Sequence, residues 1–478
     1  MDIGFVDDPS AGKNSRCHWT QILVPGELKS NPSADTPSEA RLDLGRYTRE
    51  VLAAQDTRRF VLGFTLYRSL MRIWVFDRLG GIASEQFDIN KDGLRFVSTI
   101  LGFLWMSEEE LGFDPTIMMA KGQRFIEIQQ DGTTKRLILD GLMKRARYIA
   151  GRATTCWKAH REEDPRALFV VKDSWQYLER DDKGRLLREA TSKGVVHVAQ
   201  YYHHETVRVR DTDDNVRNNV QKGLDATKAT NYRQNRSRHT PSASTSAAGL
   251  SYAGGSSSIT GVKRPSHETD VPLPPNKRSR SASPTKTSTD TLPNRVHRRV
   301  ILRDYGIPIY KAGSRETLLG ALADYIEGYE SLRRKAGLLY RDISLNNLMI
   351  DKDNRRFLID LDLAINEQRV STSGAKGKTG TWAFMAVGAL QGELHSFIHD
   401  LESFFWVLFW IYIHFDGPKK DRVVPRFDKW NYVDTDERAE DLAGMKLIVM
   451  SKEEMFMKTT TNYFTQYYQP LVPLMNSL

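Results

Sequence analysis

The chain has 478 residues, 69 Lys and Arg against 60 Asp and Glu, a net charge of +9 and a hydrophobic share of 40%. The length predicts two to four domains, and the low apolar share predicts that part of it builds no core. Two distant cysteines, Cys17 and Cys156, exclude a disulfide framework or zinc spacing, and the dispersed basic residues argue against a nucleic-acid partner.

Residues 1–45 are polar and rich in Ser, Pro and Gly, which predicts a flexible lead without a signal peptide. From Phe60 to Phe76 β-branched and aromatic residues predict two strands broken near Arg68-Ser69. Asp92 is placed to cap a helix whose Leu94, Val97, Ile100, Leu101, Leu104 and Trp105 recur at helical spacing. Arg124–Ile128 and Lys135–Leu139 then read as strands flanking an Asp131-Gly132 turn. Segment 46–140 is thus expected to be a small α+β unit.

A hydrophobic strand, Ala167 to Val171, ends in Lys172. Upstream, Gly151-Arg152-Ala153 lies where a loop could cover phosphates, with backbone amides beside Gly151 and Ala153 as candidate contacts. An ordinary hairpin turn is the plainer reading of that segment. The following helix should carry an acid that pairs with Lys172; Glu189 is the first candidate, with Glu179 and Asp182 as competitors.

Residues 211–294 differ sharply, and 240–289 are dominated by Ser, Thr, Pro, Gly and Ala. Such a stretch cannot bury enough apolar surface to order itself, so a long disordered insert is expected. Within it, Lys263-Arg264 and Lys277-Arg278-Ser279-Arg280 form two basic clusters of the kind a nuclear import receptor reads, and Ser283-Pro284 offers a phosphate acceptor. The insert makes up about half of the residues between Lys172 and Asp342, so it interrupts one domain rather than separating two.

Ordered structure returns at Arg295, with a strand over Val296–Leu302 and a helix marked by Leu318, Leu319, Leu322 and Ile326. Next comes Leu339-Tyr340-Arg341-Asp342-Ile343-Ser344-Leu345-Asn346-Asn347, and then Leu358-Ile359-Asp360-Leu361-Asp362. An Asp, an Asn five residues on and a second Asp thirteen residues further match the spacing of a phosphoryl-transfer site. Asp342 would orient and deprotonate the attacking hydroxyl, with Arg341 beside it. Asn347 and Asp360 would hold metal ions, and Lys172 the nucleotide phosphates. Downstream, Gly380–Gly388 sits where an activation segment ends, and Asp400 either braces the catalytic loop or caps its own helix. The longest apolar run, Phe404–Ile413, is about half of a membrane span, so a soluble intracellular protein with no membrane partner is expected.

The strings GRATTCW (151–157), VVKDSWQ (170–176), KGVVHVAQYYHHE (193–205), LYRDISLNNLMI (339–350), LIDLDLA (358–364), GTWAFMA (380–386) and HDLESFFWVLFWI (399–411) closely resemble the fungal-specific protein kinase-like family. The resemblance implies an α+β, bilobal protein kinase-like fold with an N-terminal α+β extension. It also implies ATP with Mg²⁺ as cofactors, transfer to Ser or Thr of a protein substrate, and a fungal source. The chain then divides into a lead (1–45), the extension (46–140), a smaller N-lobe (141–210), the insert (211–294) and the remainder, mainly C-lobe (295–478). It departs from the pattern at Tyr340 in place of His, in the single loop glycine, and at Asp182-Lys183-Gly184-Arg185 in the helix segment. No Arg-containing final helices follow Pro473, which predicts a shortened C-lobe. A nucleotide- or partner-binding pseudokinase and a small-molecule phosphotransferase are the competing readings.

Overall fold

The computed structural model describes residues 3–8, 10–12, 15–31, 39–180, 182–229, 293–368, 380–418, 420–432 and 436–478. A first sheet is built from β1 (Ile3–Val6), β2 (Ile22–Lys29), β3 (Val61–Tyr67), β4 (Leu70–Asp77), β5 (Gly80–Ala83) and β6 (Phe87–Asp88). Strands β2 and β3 run parallel, which requires a crossover, and α1 (Glu39–Ala54) supplies it. The expected flexible lead is therefore corrected. Ile22 and Val24 are short apolar anchors that the pairing buries completely, and β1 adds to their outer edge.

Arg68 turns the β3–β4 hairpin with a left-handed backbone (φ 59°). The Asp92 side chain accepts from the amide of Arg95 and starts α2 (Gly93–Trp105). A Ser107–Glu110 capping box starts the one-turn α3 (Glu108–Leu111).

The second sheet contains β7 (Met118–Ala120), β8 (Gln123–Gln130), β9 (Thr133–Arg145), β10 (Thr155–Arg161), β11 (Asp164–Tyr177), β12 (Tyr201–Thr206) and, after the ribbon β13 (Arg208–Val209) and β14 (Thr212–Asp213), β15 (Arg295–Leu302). Its order is β12-β15-β11-β10-β9-β8-β7. A boundary at 140 would cut β9, which pairs with β10 from Leu137 to Arg145, so the extension ends before β7. Helix α4 (Lys183–Ser192) crosses from β11 to β12 and packs on this sheet.

The N-terminal sheet and the N-lobe sheet share buried polar links. Arg145 donates to the carbonyls of Leu52, Gln55, Asp56 and Arg58. Arg78 reaches the carbonyls of Arg58 and Ile149, at 2.6 and 3.3 Å. The start of the expected insert also belongs to this body, because Val216 and Val220 are buried and Asp214 pairs with Arg59 at 3.0 Å. Residues 230–292, with both basic clusters and Ser283-Pro284, lie outside the described residues.

The C-lobe begins with β16 (Ile307–Pro308) and α5 (Arg315–Ala336), capped by Ser314 and closed by Gly337 at φ 68°. After β17 (Leu338–Leu339), the hairpin β18 (Leu348–Ile350) and β19 (Arg356–Leu358) brings the two halves of the motif side by side, and β20 (Ile365–Asn366) follows. The helix Phe397–His414 is buried on every face from Trp406 to His414, with Phe427, Trp430 and Phe464 packed around Phe409. The lobes are joined by backbone: Leu358 donates to His197 and Ala199 donates back to Leu358, at 2.9 and 2.8 Å. The whole is an α+β fold in two lobes, as the sequence predicts. Among the described residues no helix is long and apolar enough to cross a membrane.

Candidate active site

Asp342 is 2% exposed at the turn between β17 and β18. The side-chain amide of Asn347 donates to its carbonyl at 2.8 Å and to its Oδ2 at 3.0 Å. Thr381, from the end of the activation segment, donates to Oδ1 at 3.3 Å. Gly380 makes that approach possible: at φ 128°, a Cβ there would sit 3.0 Å from the carbonyl of Arg341. From below, Asp400 accepts the amides of Tyr340 and Arg341, both at 2.9 Å, and His395 at 3.0 Å. Asp400 thus braces the catalytic loop, while Ser396 caps its helix. The two bonds hold Arg341 at φ 66°, a backbone that non-glycine residues seldom adopt.

The second half of the site is tied to the first. The amide of Ile359 donates to the carbonyl of Asn347 at 2.9 Å, placing Asn347 and Asp360 on neighbouring strand ends. Tyr340 replaces the usual His and donates its hydroxyl to the carbonyl of Ile359. Asp360 adopts a left-handed backbone (φ 73°) and caps the following turn. Its Oδ1 lies 2.7 Å from the Nζ of Lys172.

Lys172 sits in β11 opposite Cys156 and Val300. A second carboxylate, Asp362, lies 3.0 Å from its Nζ, and the same Oδ2 takes Arg152 at 2.9 Å. Burial pushes the Lys172 ammonium down, but Asp360 and Asp362 outweigh it and hold its pKa above the usual range. Burial pushes the neighbouring Cys156 thiol up to about 11, so it stays protonated and unreactive at neutral pH.

Asp342, Arg341, Asn347, Asp360 and Lys172 are therefore brought together. Two expectations are corrected. Glu189 does not pair with Lys172: it lies on the outer face of α4, 47% exposed, 2.6 Å from Lys193. Of its competitors, Asp182 caps α4 and pairs with Arg298, and Glu179 is exposed. The amide of Gly151 does not await phosphate either; it donates to the carbonyl of Arg78 at 3.0 Å. Gly151 is needed for its φ of 131° and because a Cβ would meet the Tyr148 ring at 2.7 Å. Ala153, at φ 46°, packs into the core shared with Phe60, Trp175 and Val216.

Several site residues escaped sequence reasoning: Asp362 and Arg152 beside Lys172, and Thr381 on Asp342. Buried Lys446 also escaped it. Lys446 donates to the carbonyl of Met385 at 2.6 Å and anchors the activation segment where its usual Glu is Gly388. Asp362 and Arg152 did leave a signal, a carboxylate in a glycine position and a cation in the loop. Lys446 left none.

The chain matches the fungal protein kinase family over residues 1–412. It belongs to that family. A segment of 78 residues is also 36% identical to rhodopsin kinase GRK1 of Rattus norvegicus, spanning 16% of this chain and 14% of that relative. Membership supports a kinase-type site, and ATP and a divalent metal are what kinases of that type generally use. Two residues here fit such a metal. The side-chain oxygen of Asn347, whose nitrogen is committed to Asp342, and the carboxylate of Asp360 form a set of hard oxygen donors.

Proposed function

We propose that this fungal protein kinase transfers the γ-phosphoryl group of ATP to Ser or Thr hydroxyls of protein substrates, with Asp342 as the base. The observation that carries this is the posture of Asp342. Its carboxylate is oriented by Asn347 and Thr381, and the two residues before it are held through their backbone amides by Asp400. Asp342 orients the incoming hydroxyl and accepts its proton as the bond to phosphorus forms. Lys172 neutralises phosphate charge from the N-lobe side. Asn347 and Asp360 would hold Mg²⁺, which supplies further neutralisation of the transferring phosphoryl group. The choice of Ser or Thr as acceptor follows the resemblance of the sequence motifs to the family.

A second reading, a pseudokinase, draws on one observation: the Gly151 amide is already bonded to Arg78. The test is incorporation from γ-labelled ATP with Mg²⁺ into a generic protein, followed by phosphoamino-acid analysis. Phosphoserine or phosphothreonine is expected. Phosphotyrosine alone, or nucleotide binding without transfer, would overturn the proposal.

A further inference from the structure

We propose that Asp362, on the turn after Asp360, is the carboxylate that positions Lys172, a task that no residue of α4 performs in this chain. The inference rests on the kinase reading above.

Helix α4 has one acid, Glu189. At ~100° per residue it lies roughly opposite the buried stripe of Gly184, Leu187 and Ala190. The helix cannot readily turn it inward. Gly184 is pressed on His204, where a Cβ would come within 2.4 Å of the imidazole, and the Nζ of Lys183 donates to the carbonyl of Ala364 at 3.0 Å. Rotation would also expose Leu187 and Ala190.

Lys172 therefore takes its partners from the C-lobe. Of these, Asp360 is the proposed metal ligand, which leaves Asp362 as the carboxylate that holds the lysine without a metal to bind. Asp362 is buried, and its Oδ2 holds two cations, Lys172 at 3.0 Å and Arg152 at 2.9 Å. Asp362 thus gathers one cation from β11 and one from the β9–β10 loop beside Asp360. A lysine is a mobile point charge on four rotatable bonds, so such a partner sets where its ammonium rests. Asp362 is a positioning residue: it acts through Lys172 and not on the nucleotide.

The experiment is a double-mutant cycle on the affinity of the full-length chain for a fluorescent ATP analogue, with the thermal melt of every variant recorded. Asp362→Asn is expected to weaken binding about 10-fold, as is Lys172→Met, and the double variant should be no weaker than Lys172→Met alone. Glu189→Gln should leave binding unchanged. Full additivity of the two costs would overturn the inference, since it would make Asp362 a merely structural residue. A loss on Glu189→Gln comparable to that of Lys172→Met would also overturn it, and this arm decides the matter if Asp362→Asn does not fold. A wild-type chain that binds no nucleotide would overturn the kinase reading, and the inference with it. Additive costs on a wild type that binds would overturn the inference alone.

Discussion

The carboxylate of Asp400 accepts the backbone amide of Tyr340 at 2.9 Å across 60 residues of sequence, and the next amide, that of Arg341, at the same distance. Asp400 is 1% exposed, so these are charge-assisted bonds away from water. Asp400→Ala would leave two buried amides without an acceptor. We expect a loss of about 2–5 kcal/mol in denaturant-measured stability, together with a large fall in transfer as the catalytic loop relaxes.

Tyr340 links the loop to the strand before Asp360 through its hydroxyl on Ile359. Tyr340→Phe keeps the buried ring and orphans one carbonyl. It should cost about 1–2 kcal/mol in stability and lower kcat more than it raises the KM for ATP. Steady-state kinetics checks the split, and an unchanged kcat would deny the link a role in alignment.

How much of this was legible in the sequence follows from distance along the chain. Asp342, Asn347 and Asp360 sit on a hairpin, so their spacing alone sets them together. Lys172 ends a run of apolar strand residues and could be picked out the same way. Glu189 could not be placed, because one residue of helix phase moves a side chain by ~100°. The Gly151 amide finds its acceptor on Arg78, and β2 finds its parallel partner in β3, through long-range contacts that composition does not carry. Polar composition hid the lead's two strands for the same reason. At the start of the expected insert, Val216 and Val220 were too few to mark a buried turn.

His297 offers a pH test in the N-lobe. Its ring lies between Asp173 at 3.1 Å and Asp214 at 3.2 Å, stacks on Trp175, and faces Arg299 and Asp114 across the same buried cluster. Burial disfavours its charged form, but the two carboxylates prevail and raise its pKa to about 9. The folded value exceeds the unfolded one, near ~6.5, so its contribution is complete below that pH and is lost as pH rises through about 9. The melting temperature should fall over that window as stability drops by on the order of 3 kcal/mol. His297→Gln should flatten the decline. A wild-type melt independent of pH from 6 to 10 would contradict the assignment.

Arg78 joins the N-terminal unit to the β9–β10 loop and is buried enough for its pKa to be pushed down to about 9. Arg78→Ala would leave the Arg58 carbonyl with only the longer bond from Arg145, take the Arg78 donor from the Ile149 carbonyl and open a cavity. A loss of about 3 kcal/mol is expected, with the N-terminal unit and the kinase lobes still unfolding in one transition. Two separate transitions in the wild type would show that the units are not one cooperative body.

The central claim is that Asp342 is a base in a working kinase. Single-turnover transfer from γ-labelled ATP with Mg²⁺, measured alongside nucleotide affinity, tests it most directly. Wild type should transfer, and Asp342→Asn should bind nucleotide within about 3-fold while transfer falls at least about 100-fold. Equal transfer by the two proteins, or binding without transfer by the wild type, would contradict the account.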